Sequence, residues 1–581
     1  MEQDLIPLKL TKLTSSDDDG ETIIKALKDT KTVSTVFRNY LTGPLNKKDL
    51  PKNLKNYPKS SKTVRFQVHC NSSAKLVKGL IKRGEAQKSP IKFLCSFYYS
   101  SSFQTAYFFS KLRSYTSLSF LELYFCTSFN RDAASEIGIK RLSSLKNLSH
   151  FSTDFSDGNF KDPTTLGRLF RCLFSLKKLA RLSLYFSLCQ EFKSAQLNLL
   201  SSYLKKLSKL RALNLRFCLL KGFDDTAIYN LASALSNLRV LSQFSLYLGE
   251  LDTLSKYPQK RLIQNSSTLL QFFKSLGESN ALSDLSIDFS GCTILIESDK
   301  DPITEGLSYL RNLPIETLRL SPYKDFTNRD LMETFQILKR FRFLTALYFG
   351  LDECGRITPQ GLFNFSFLLS ELLSLSSLEL SLNCFYDAFK DAIQDVLSAI
   401  KRLENLTELC LWLSGPYTTS YSQINRFSLS LKGLRSLKNL SLEFDYQEHL
   451  SDFAMFDLSE YLKDLIRLKR LSLSFEKTVD LTNLGILHLA CAIQKLEDLR
   501  NLSLDFGSNR EIDEESVEGI LQSLLCLPCL ENLSLLFSGC SLIVEAKEVL
   551  LHLFKTIKQK KKNCKIYLRP KLALAEENFC D

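Results

Sequence analysis

Histidine and cysteine are the residue types in this chain that most often support catalysis or metal binding. The five histidines are His69, His150, His449, His488 and His552. They lie far apart in a chain whose contacts we expect to be local, so they predict neither a shared metal site nor a catalytic dyad. His150 and the nearby Asp154 form one candidate acid–base pair, and that pairing is too thin to assign general acid–base catalysis.

The 16 cysteines are scattered along the chain rather than clustered. Several occupy apolar positions of the repeat described below, and we expect these to be buried free thiols: Cys95, Cys172, Cys491 and Cys526. Cys526 and Cys529 are spaced as C-x-x-C, but a redox dithiol needs a thioredoxin-like βαβ setting and a zinc site needs a second ligand pair. Neither is visible, so we interpret the pair as structural and expect a reducing compartment.

Signatures of the common enzyme classes are missing from the sequence. It contains no Walker loop, no dinucleotide-binding glycine fingerprint, no G-x-S-x-G elbow and no kinase signature. We therefore expect a protein that is not an enzyme and needs no cofactor or metal. The acidic start Met1-Glu2-Gln3-Asp4 is unlike a secretory leader, and Glu371 and Glu379 interrupt the most apolar stretch, so we expect a cytoplasmic protein without a membrane span.

An internal repeat, L-x-x-L-x-L-x-F, dominates the chain. Clear copies are Leu179-Ala-Arg-Leu182-Ser-Leu184-Tyr-Phe186, Leu210-Arg-Ala-Leu213-Asn-Leu215-Arg-Phe217 and Leu468-Lys-Arg-Leu471-Ser-Leu473-Ser-Phe475. The second apolar residue of each copy serves as a marker, and the markers recur about every 31 residues. They are Leu121, Phe151, Leu182, Leu213, Phe244, Leu285, Leu318, Leu347, Leu378, Leu409, Leu440, Leu471, Leu502 and Leu533.

Each repeat predicts one strand followed by one helix. The alternating L-x-L-x-F places apolar residues on one side of a strand, and the roughly 20 residues that follow have apolar positions at helical spacing. Stacked repeats of this kind give an α/β solenoid, a horseshoe with a parallel sheet on its concave face and helices on its convex face. Weaker copies at 64–68, 91–95 and 564–568 extend it, so we predict a cap or partly disordered segment at 1–60, about 16 to 17 repeats over 61–570 and a tail at 571–581.

The repeat resembles the leucine-rich-repeat superfamily, and within it the ribonuclease-inhibitor-like class with a full helix per repeat. The resemblance covers about residues 60–570 and implies a binding scaffold rather than a particular activity. Family members usually carry Asn or Cys just after the strand, where it satisfies backbone groups at the bend. This chain departs from that pattern, with Ser187, Cys218, Ser290, Asp445, Gly507 and Ser538 in the slot.

The exposed strand positions are predicted to line the concave face and to hold a protein partner. One row follows the markers directly and is rich in serine, and a second row lies two residues further along each strand. Aromatic residues in these rows are the expected anchors because aromatic residues dominate interface hot spots, and acidic residues collect beside them. The candidate binding residues are Tyr124, Tyr185, Tyr247, Asp284, Asp288, Tyr348, Trp412 and Glu443.

Three further features leave alternative functions open. The chain carries a net charge of +13, and its cations recur where each helix ends, as at Lys205-Lys206 and Lys401-Arg402. This basic edge could bind nucleic acid or another acidic polymer, although the helix dipole also favours cations there. Leu50-Pro51 with Leu54 resembles the opening of an F-box, which would imply a ubiquitin-ligase substrate receptor. The spacing between Phe244 and Leu285 is about ten residues longer than the norm, which predicts a surface loop at 249–260 that either tolerates change or binds.

Overall fold

The computed structural model describes most of the chain between residues 142 and 541 and shorter pieces on either side. The described residues are 34–37, 64–69, 91–98, 118–126, 142–155, 163–186, 192–217, 223–248, 261–263, 266–290, 292–294, 300–352, 354–383, 389–414, 428–429, 431–446, 450–478, 480–541, 556–557, 559 and 565–569. The chain forms two compact units. Unit 1 comprises residues 1–287, 291–302 and 581, and unit 2 comprises residues 288–290 and 303–580.

Unit 1 alternates short strands with helices. Its strands are β1 (Ser34–Phe37), β2 (Val64–His69), β3 (Ile91–Tyr98), β4 (Leu118–Cys126), β5 (His150–Asp154), β6 (Arg181–Tyr185), β7 (Ala212–Arg216), β8 (Gln243–Tyr247), β9 (Arg261–Ile263), β10 (Asp284–Asp288, whose last residue belongs to unit 2) and β11 (Cys292–Ile294). Its helices are α1 (Pro163–Phe174), α2 (Ser194–Leu204), α3 (Asp225–Leu235) and α4 (Ser266–Gly277). Strands β1 to β8 pair in chain order and in parallel, and β10 lies beside β8.

Unit 2 repeats the same alternation. Its strands are β12 (Thr317–Ser321), β13 (Ala346–Gly350), β14 (Ser377–Ser381), β15 (Glu408–Trp412), β16 (Asn439–Glu443), β17 (Arg470–Ser474), β18 (Asn501–Asp505), β19 (Asn532–Leu536) and β20 (Lys565–Arg569). Its helices are α5 (Pro302–Leu310), α6 (Asn328–Leu338), α7 (Pro359–Leu369), α8 (Lys390–Ile400), α9 (Asp452–Leu462), α10 (Asn483–Ile493) and α11 (Glu514–Leu525). Every consecutive strand pair is parallel. None of the helices that the structure describes is long and apolar enough to cross a membrane.

The register of the strands confirms the predicted repeat. In each unit the markers of consecutive repeats face one another, as Leu182 faces Leu213 in unit 1 and Leu440 faces Leu471 in unit 2. The weak copies form strands β2, β3 and β20, and Ile566 faces the marker Leu533. Because side chains alternate along a strand, one common register puts every marker on the same side of its sheet.

The core of each unit consists of the inward leucines and a row of stacked phenylalanines. The marker Leu471 and its neighbour Leu473 are 1% exposed, and Phe475 at the end of the same copy is fully buried. Phe475 stacks on Phe444 and on Phe506, each with ring centroids 5.8 Å apart. In unit 1, Phe186 stacks on Phe217 in the same way at 6.1 Å. The final Phe of the repeat therefore fills the interior beside the bend that follows each strand.

The helix N-termini are linked from repeat to repeat by side-chain hydrogen bonds. Asp452, the first residue of α9, accepts hydrogen bonds from the backbone N–H groups of Thr482 and Gly485 at the start of α10, at 2.9 and 3.0 Å. Asn328 accepts a hydrogen bond from Thr358 N–H in the same way at 2.9 Å. Since the first N–H groups of a helix lack partners within it, helices α7 and α10 are capped partly by the preceding repeat. A Cβ at Gly485 would lie 2.5 Å from Asp452 Oδ1, so glycine makes room for this approach.

The slot after the strand also links neighbouring repeats. Asn383 Oδ1 accepts a hydrogen bond from Ser414 N–H at 2.7 Å, and Asp445 Oδ1 accepts one from Glu476 N–H at 2.8 Å. The slot holds Asp445 where the leucine-rich-repeat pattern would have Asn. Its carboxylate oxygen makes the contact expected of Asn, because it accepts a backbone N–H from the next repeat. The following residue has a positive φ in four consecutive repeats: Tyr446 (63°), Lys477 (58°), Ser508 (63°) and Gly539 (85°).

The long spacing between Phe244 and Leu285 contains extra secondary structure. Strand β9 lies within it and pairs in parallel with β11 as a separate two-stranded sheet. The predicted loop at 249–260 lies outside the described residues, as do residues 571–581 and all of 1–60 except β1.

Candidate protein-binding face

One side of the strands in each unit carries polar and aromatic side chains, and we call it the open face of that unit. In β7, Leu213 and Leu215 are buried, whereas Ala212, Asn214 and Arg216 are half-exposed. Strands β6, β8 and β16 to β19 alternate similarly. The alternation follows from the two-residue period of a strand, so this face is read directly from the repeat.

Some of the residues that the sequence predicts to be exposed on this face are buried. Glu122, Ser152 and Ser286 are 8%, 6% and 3% exposed, although they occupy open-face positions. Large neighbours on adjacent strands lie over some of these small residues. Ser286, for example, donates a hydrogen bond to the hydroxyl of Tyr247 at 2.9 Å. The prediction that every position in these rows is exposed is therefore wrong where an aromatic side chain lies across the face.

In unit 1 the open face holds a stack of two tyrosines around one arginine, which we call the Tyr–Arg–Tyr stack. The guanidinium carbon of Arg216 lies 5.5 Å from the ring centroid of Tyr185 and 4.7 Å from that of Tyr247. Such cation–π contacts are each worth about 0.5–1 kcal/mol when exposed and more when desolvated. Burial raises the pKa of the Tyr185 phenol, so this ring stays neutral and keeps its hydroxyl proton at neutral pH.

Hydrogen bonds to neighbouring strands hold the tyrosine rings. Asn214 Nδ2 donates to the hydroxyl of Tyr185 at 3.1 Å, and Tyr247 is held by Ser286. Arg216 Nε is buried with no hydrogen-bond partner among the described residues. The stack therefore presents rigid aromatic surface together with a cation, which are the side chains that contribute most to protein–protein interfaces.

In unit 2 the open face holds an aromatic corner formed by Tyr348 and Trp412. Their ring centroids are 5.6 Å apart and the planes meet at 67°, an edge-to-face geometry that the ring quadrupoles favour. The guanidinium of Arg319 lies 5.9 Å from the Tyr348 ring and pairs with Glu379 at 2.5 Å. Burial is the main cause that raises the pKa of Tyr348, and the carboxylates of Asp352, Asp288 and Glu379 raise it further.

Small buried residues let these two rings lie over the sheet. Ser321, Gly350 and Ser381 are buried. Gly350 faces Ser381 and Ser381 faces Trp412 in register, and Ser321 Oγ lies beside Gly350. A Cβ at Gly350 would lie only 2.8 Å from the hydroxyl oxygen of Tyr348. Glycine at this position therefore permits the Tyr348 ring to lie across the neighbouring strand and reach the Trp412 ring edge to face.

Carboxylates surround the aromatic corner. Glu443 accepts a hydrogen bond from Ser414 Oγ at 2.8 Å, and Glu408 accepts one from Asn439 Nδ2 at 2.6 Å. Both donors are neutral, so neither cancels the negative charge. Burial raises the pKa of the nearby Cys410 thiol to about 12, and the charge of Glu379 contributes. Cys410 is therefore a protonated thiol at neutral pH and a weak nucleophile.

The structure places the other predicted binding residues outside these two clusters. Asp284 lies on β10 and faces Gln243, whose Nε2 is 3.4 Å from its Oδ2. Asp288 accepts hydrogen bonds from the N–H and the hydroxyl of Ser290, so it shapes the bend after β10. Tyr124 lies on β4, in register with Asp154, and its side chain is outside the described part of the structure.

Arg216 and Arg319 were not among the residues predicted to bind. The repeat does place each arginine in register with a tyrosine of an adjacent strand, since Arg216 faces Tyr185 and Tyr247 and Arg319 faces Tyr348. The contacts themselves were not predictable, because the pattern gives the side of the sheet but not the direction in which a long side chain leans.

The structure describes the surroundings of His150 and of three cysteines that the sequence predicted to be buried. His150 Nε2 lies 3.6 Å from Glu122 Oε1, and its ring stacks on Phe120 at 4.2 Å between centroids. Cys172 is buried as predicted, but Cys491 and Cys526 are exposed, so the prediction of burial is wrong for these two. Cys491 lies on the outward side of α10, and Cys526 is the C-cap of α11. The side chain of Cys95 lies outside the described residues.

The basic residues of the predicted edge lie at helix C-termini. The C-cap residues of α2, α6, α8 and α9 are Lys205, Lys339, Lys401 and Lys463. Lys339 pairs with Glu371 and Lys463 pairs with Glu460. The helix dipole stabilises cations at this position, which accounts for the recurrence of lysine there.

Comparisons with known proteins found no match for this chain, either among protein-family models or among curated proteins. Among the described residues, no group of histidine, cysteine and acidic side chains could hold a metal ion.

Proposed function

We propose that this chain is a leucine-rich-repeat protein of the ribonuclease-inhibitor-like class, and that it acts as a non-enzymatic scaffold whose open face holds a protein partner. The recurring L-x-x-L-x-L-x-F strand, the full helix of each repeat and the common register of the markers support the class assignment. Cysteines that form no disulfide among the described residues, such as Cys410, Cys491 and Cys540, support a reducing, cytoplasmic setting.

The observation that carries the proposal is the concentration of aromatic residues on the open faces. Tyr185, Tyr247, Tyr348 and Trp412 are all half-exposed strand residues, and each is held by a neighbouring ring, cation or hydrogen bond. A residue that is already ordered loses little conformational entropy when a partner docks on it. These rings therefore have the properties of interface anchors.

The test is a double substitution in unit 1, Tyr185→Ala with Tyr247→Ala, in the full chain. We expect the affinity for a partner recovered from the native cell to fall at least about 30-fold, since hot-spot residues contribute about 2 kcal/mol or more each. The control is Tyr229→Ala with Tyr309→Ala, which removes two exposed tyrosines from helices α3 and α5. Thermal unfolding followed by circular dichroism checks that the variants keep the fold. Unchanged capture by the folded double variant would refute these anchors.

A second candidate function is binding of an acidic polymer through the helix C-termini of unit 1. Lys177, Lys178, Lys205 and Lys206 are exposed in consecutive repeats, and the ammonium groups of Lys177 and Lys206 both lie within 5 Å of the Phe174 ring centroid, at 4.8 and 4.6 Å. Such a cluster would attract a polyanion, with an affinity that falls steeply as salt is added.

A further inference from the structure

The open face of unit 2 has the opposite charge to the chain as a whole. The chain totals +13, yet strands β13 to β18 and the residues just after them expose mainly carboxylates on this face. Strands β13 to β18 carry one lysine or arginine, Arg470 in β17, and Lys477 follows that strand beside Glu476. Arg319, on β12, pairs with Glu379. The carboxylates are Asp352, Glu379, Glu408, Glu443, Asp445 and Asp505.

The aromatic corner lies in the middle of these carboxylates. Trp412 shares strand β15 with Glu408 and faces Glu443 of the next strand in register. Glu379 lies on β14, between the strands of Tyr348 and Trp412. Arg319 already stacks near Tyr348 while pairing with Glu379, so a guanidinium fits this site sterically and electrostatically. A ring face bordered by carboxylates attracts cations through both the quadrupole and the charges.

On these grounds we propose that the open face of unit 2 binds an extended, lysine- or arginine-bearing segment of a separate partner protein, with one cationic side chain on Trp412 and others on Glu408, Glu443 and Asp505. This inference rests on the proposed scaffold function and names the chemistry of the partner. The same charges disfavour nucleic acid on this face, because phosphate would meet carboxylates.

The spacing of the carboxylates suits an extended chain that crosses the strands. Glu443 and Asp505 occupy equivalent positions on β16 and β18, two strands apart. Strands lie about 4.8 Å apart, and a polyproline-II segment advances about 3.1 Å per residue with three residues per turn, so cations three residues apart project to the same side and match this pair of carboxylates. The neighbouring row on the same strands consists of the half-exposed serines Ser441, Ser472 and Ser503, which are small and leave room for the partner backbone.

The chain contains one tryptophan, Trp412, so its fluorescence reports directly on this site. The probe is a synthetic peptide with lysine at every third position, separated by glycine and serine, titrated into the full chain at low ionic strength and again at about 150 mM salt. We expect a saturable change in Trp412 fluorescence with this peptide and none with the matched peptide that carries glutamate in place of lysine. Absence of a saturable change with the lysine peptide would overturn the proposal.

Charge-neutral variants locate the binding, measured by calorimetry. Glu408→Gln with Glu443→Gln keeps the oxygen acceptors for Asn439 and Ser414 while removing both charges, and we expect at least tenfold weaker peptide binding. The control, Glu515→Gln with Glu518→Gln on α11, removes the same charge away from the face and should leave affinity unchanged. Equal affinity of the wild type and the Glu408/Glu443 variant would place the peptide elsewhere and overturn the proposal.

Two further outcomes separate this inference from its alternatives. Arg319→Gln should tighten peptide binding severalfold, because it frees Tyr348 and Glu379 for the incoming cation, and weaker binding would contradict the assignment. A change in Trp412 fluorescence with protein concentration alone would show that a second copy occupies the face, which would also overturn it. If the cellular partner is lost with Tyr185→Ala and Tyr247→Ala but retained with Glu408→Gln and Glu443→Gln, the scaffold proposal stands and the cationic-segment inference fails.

Discussion

Asp445 shows at the scale of one residue how the fold and the charge of the open face are connected. Its Oδ1 accepts hydrogen bonds from Ser474 Oγ at 2.7 Å and from Glu476 N–H at 2.8 Å. Burial raises the pKa of this carboxyl from 3.8 to about 6, and the charges of Glu443 and Asp505 add to the rise. The carboxylate therefore joins two repeats while its negative charge is unfavourable at neutral pH.

This conflict predicts a stabilising substitution with a defined pH dependence. The folded chain holds the Asp445 proton more tightly than the unfolded chain, so ionisation costs stability as pH rises from about 4 to about 6, and the full cost remains above that window. Asp445→Asn keeps the acceptor, as Asn383 does in the same slot, and removes the charge. Because partial exposure screens the charge, we expect a gain on the order of 1 kcal/mol at pH 7.5 that disappears near pH 4.

Urea unfolding followed by circular dichroism at the two pH values measures this gain. The control is Asp464→Asn, which neutralises an exposed aspartate in the turn after α9 and should change the unfolding midpoint little at either pH. A gain that persists at pH 4, or a loss of stability at pH 7.5, would contradict the assignment of an unfavourable charge to Asp445.

The aromatic residues of the open faces were predictable one by one, but their arrangement was not. The two-residue period of a strand assigns Tyr185, Tyr247, Tyr348 and Trp412 to this face, and the structure confirms that each is half-exposed. The period does not state that Tyr185 and Tyr247 enclose Arg216, because that depends on side-chain rotamers and on small neighbours such as Ser286.

At the scale of the helices, the N-termini of α7, α10 and α11 depend on the repeat before them. Asp452 caps α10, and Asn483, the first residue of α10, in turn accepts a hydrogen bond from Asp513 N–H at the start of α11 at 3.0 Å. Sequence rules for helix caps look a few residues along the chain, whereas these partners are a full repeat apart. The helices were therefore predictable from their period, and the links between them were not.

Removing one link should loosen the next helix rather than the one that carries the mutation. In Asp452→Ala, the N–H groups of Thr482 and Gly485 lose their acceptor, and we expect a loss of about 1–2 kcal/mol together with faster hydrogen exchange at both amides. Asp452→Asn should restore most of the protection, because Asn483 performs the same role one repeat later.

Amide hydrogen exchange read out by mass spectrometry distinguishes this effect from a general loss of stability. The matched control Asp464→Ala removes an aspartate outside the cap and should leave the first turn of α10 protected. If exchange in Asp452→Ala increased equally in α9, α10 and α11, the loss would be global and the directional link between repeats would be refuted.

At the scale of the whole chain, the repeat period determined most of what could be predicted. The period alone predicts the α/β solenoid fold, the parallel pairing of the strands and their register, because each marker must face its equivalent in the next repeat. Prediction from the period fails where the spacing of the repeats departs from it. Strand β9, within the long spacing, and its partner β11, after Leu285, follow no repeat rule. Strand β1 keeps the period, since Ser34 faces Arg65, 31 residues later, but its sequence carries no recognisable copy of the repeat.

The distribution of charge over the chain gives the last prediction, which concerns salt. The positive charge lies at helix C-termini such as Lys205 and Lys401, whereas the open face of unit 2 is acidic and carries aromatic rings. A polyanion bound to the C-terminal lysines should lose about 10³-fold or more in affinity between 50 and 200 mM salt, because several counterions are released on binding. A protein partner bound through aromatic contacts should lose far less, since only part of its binding energy is electrostatic.

Paired captures from the native cell with low-salt and high-salt washes, followed by mass spectrometry, compare the salt sensitivity of the two kinds of binding. Partners that persist at high salt support the scaffold, and loss of every partner would refute it in favour of an electrostatic function at the basic helix ends.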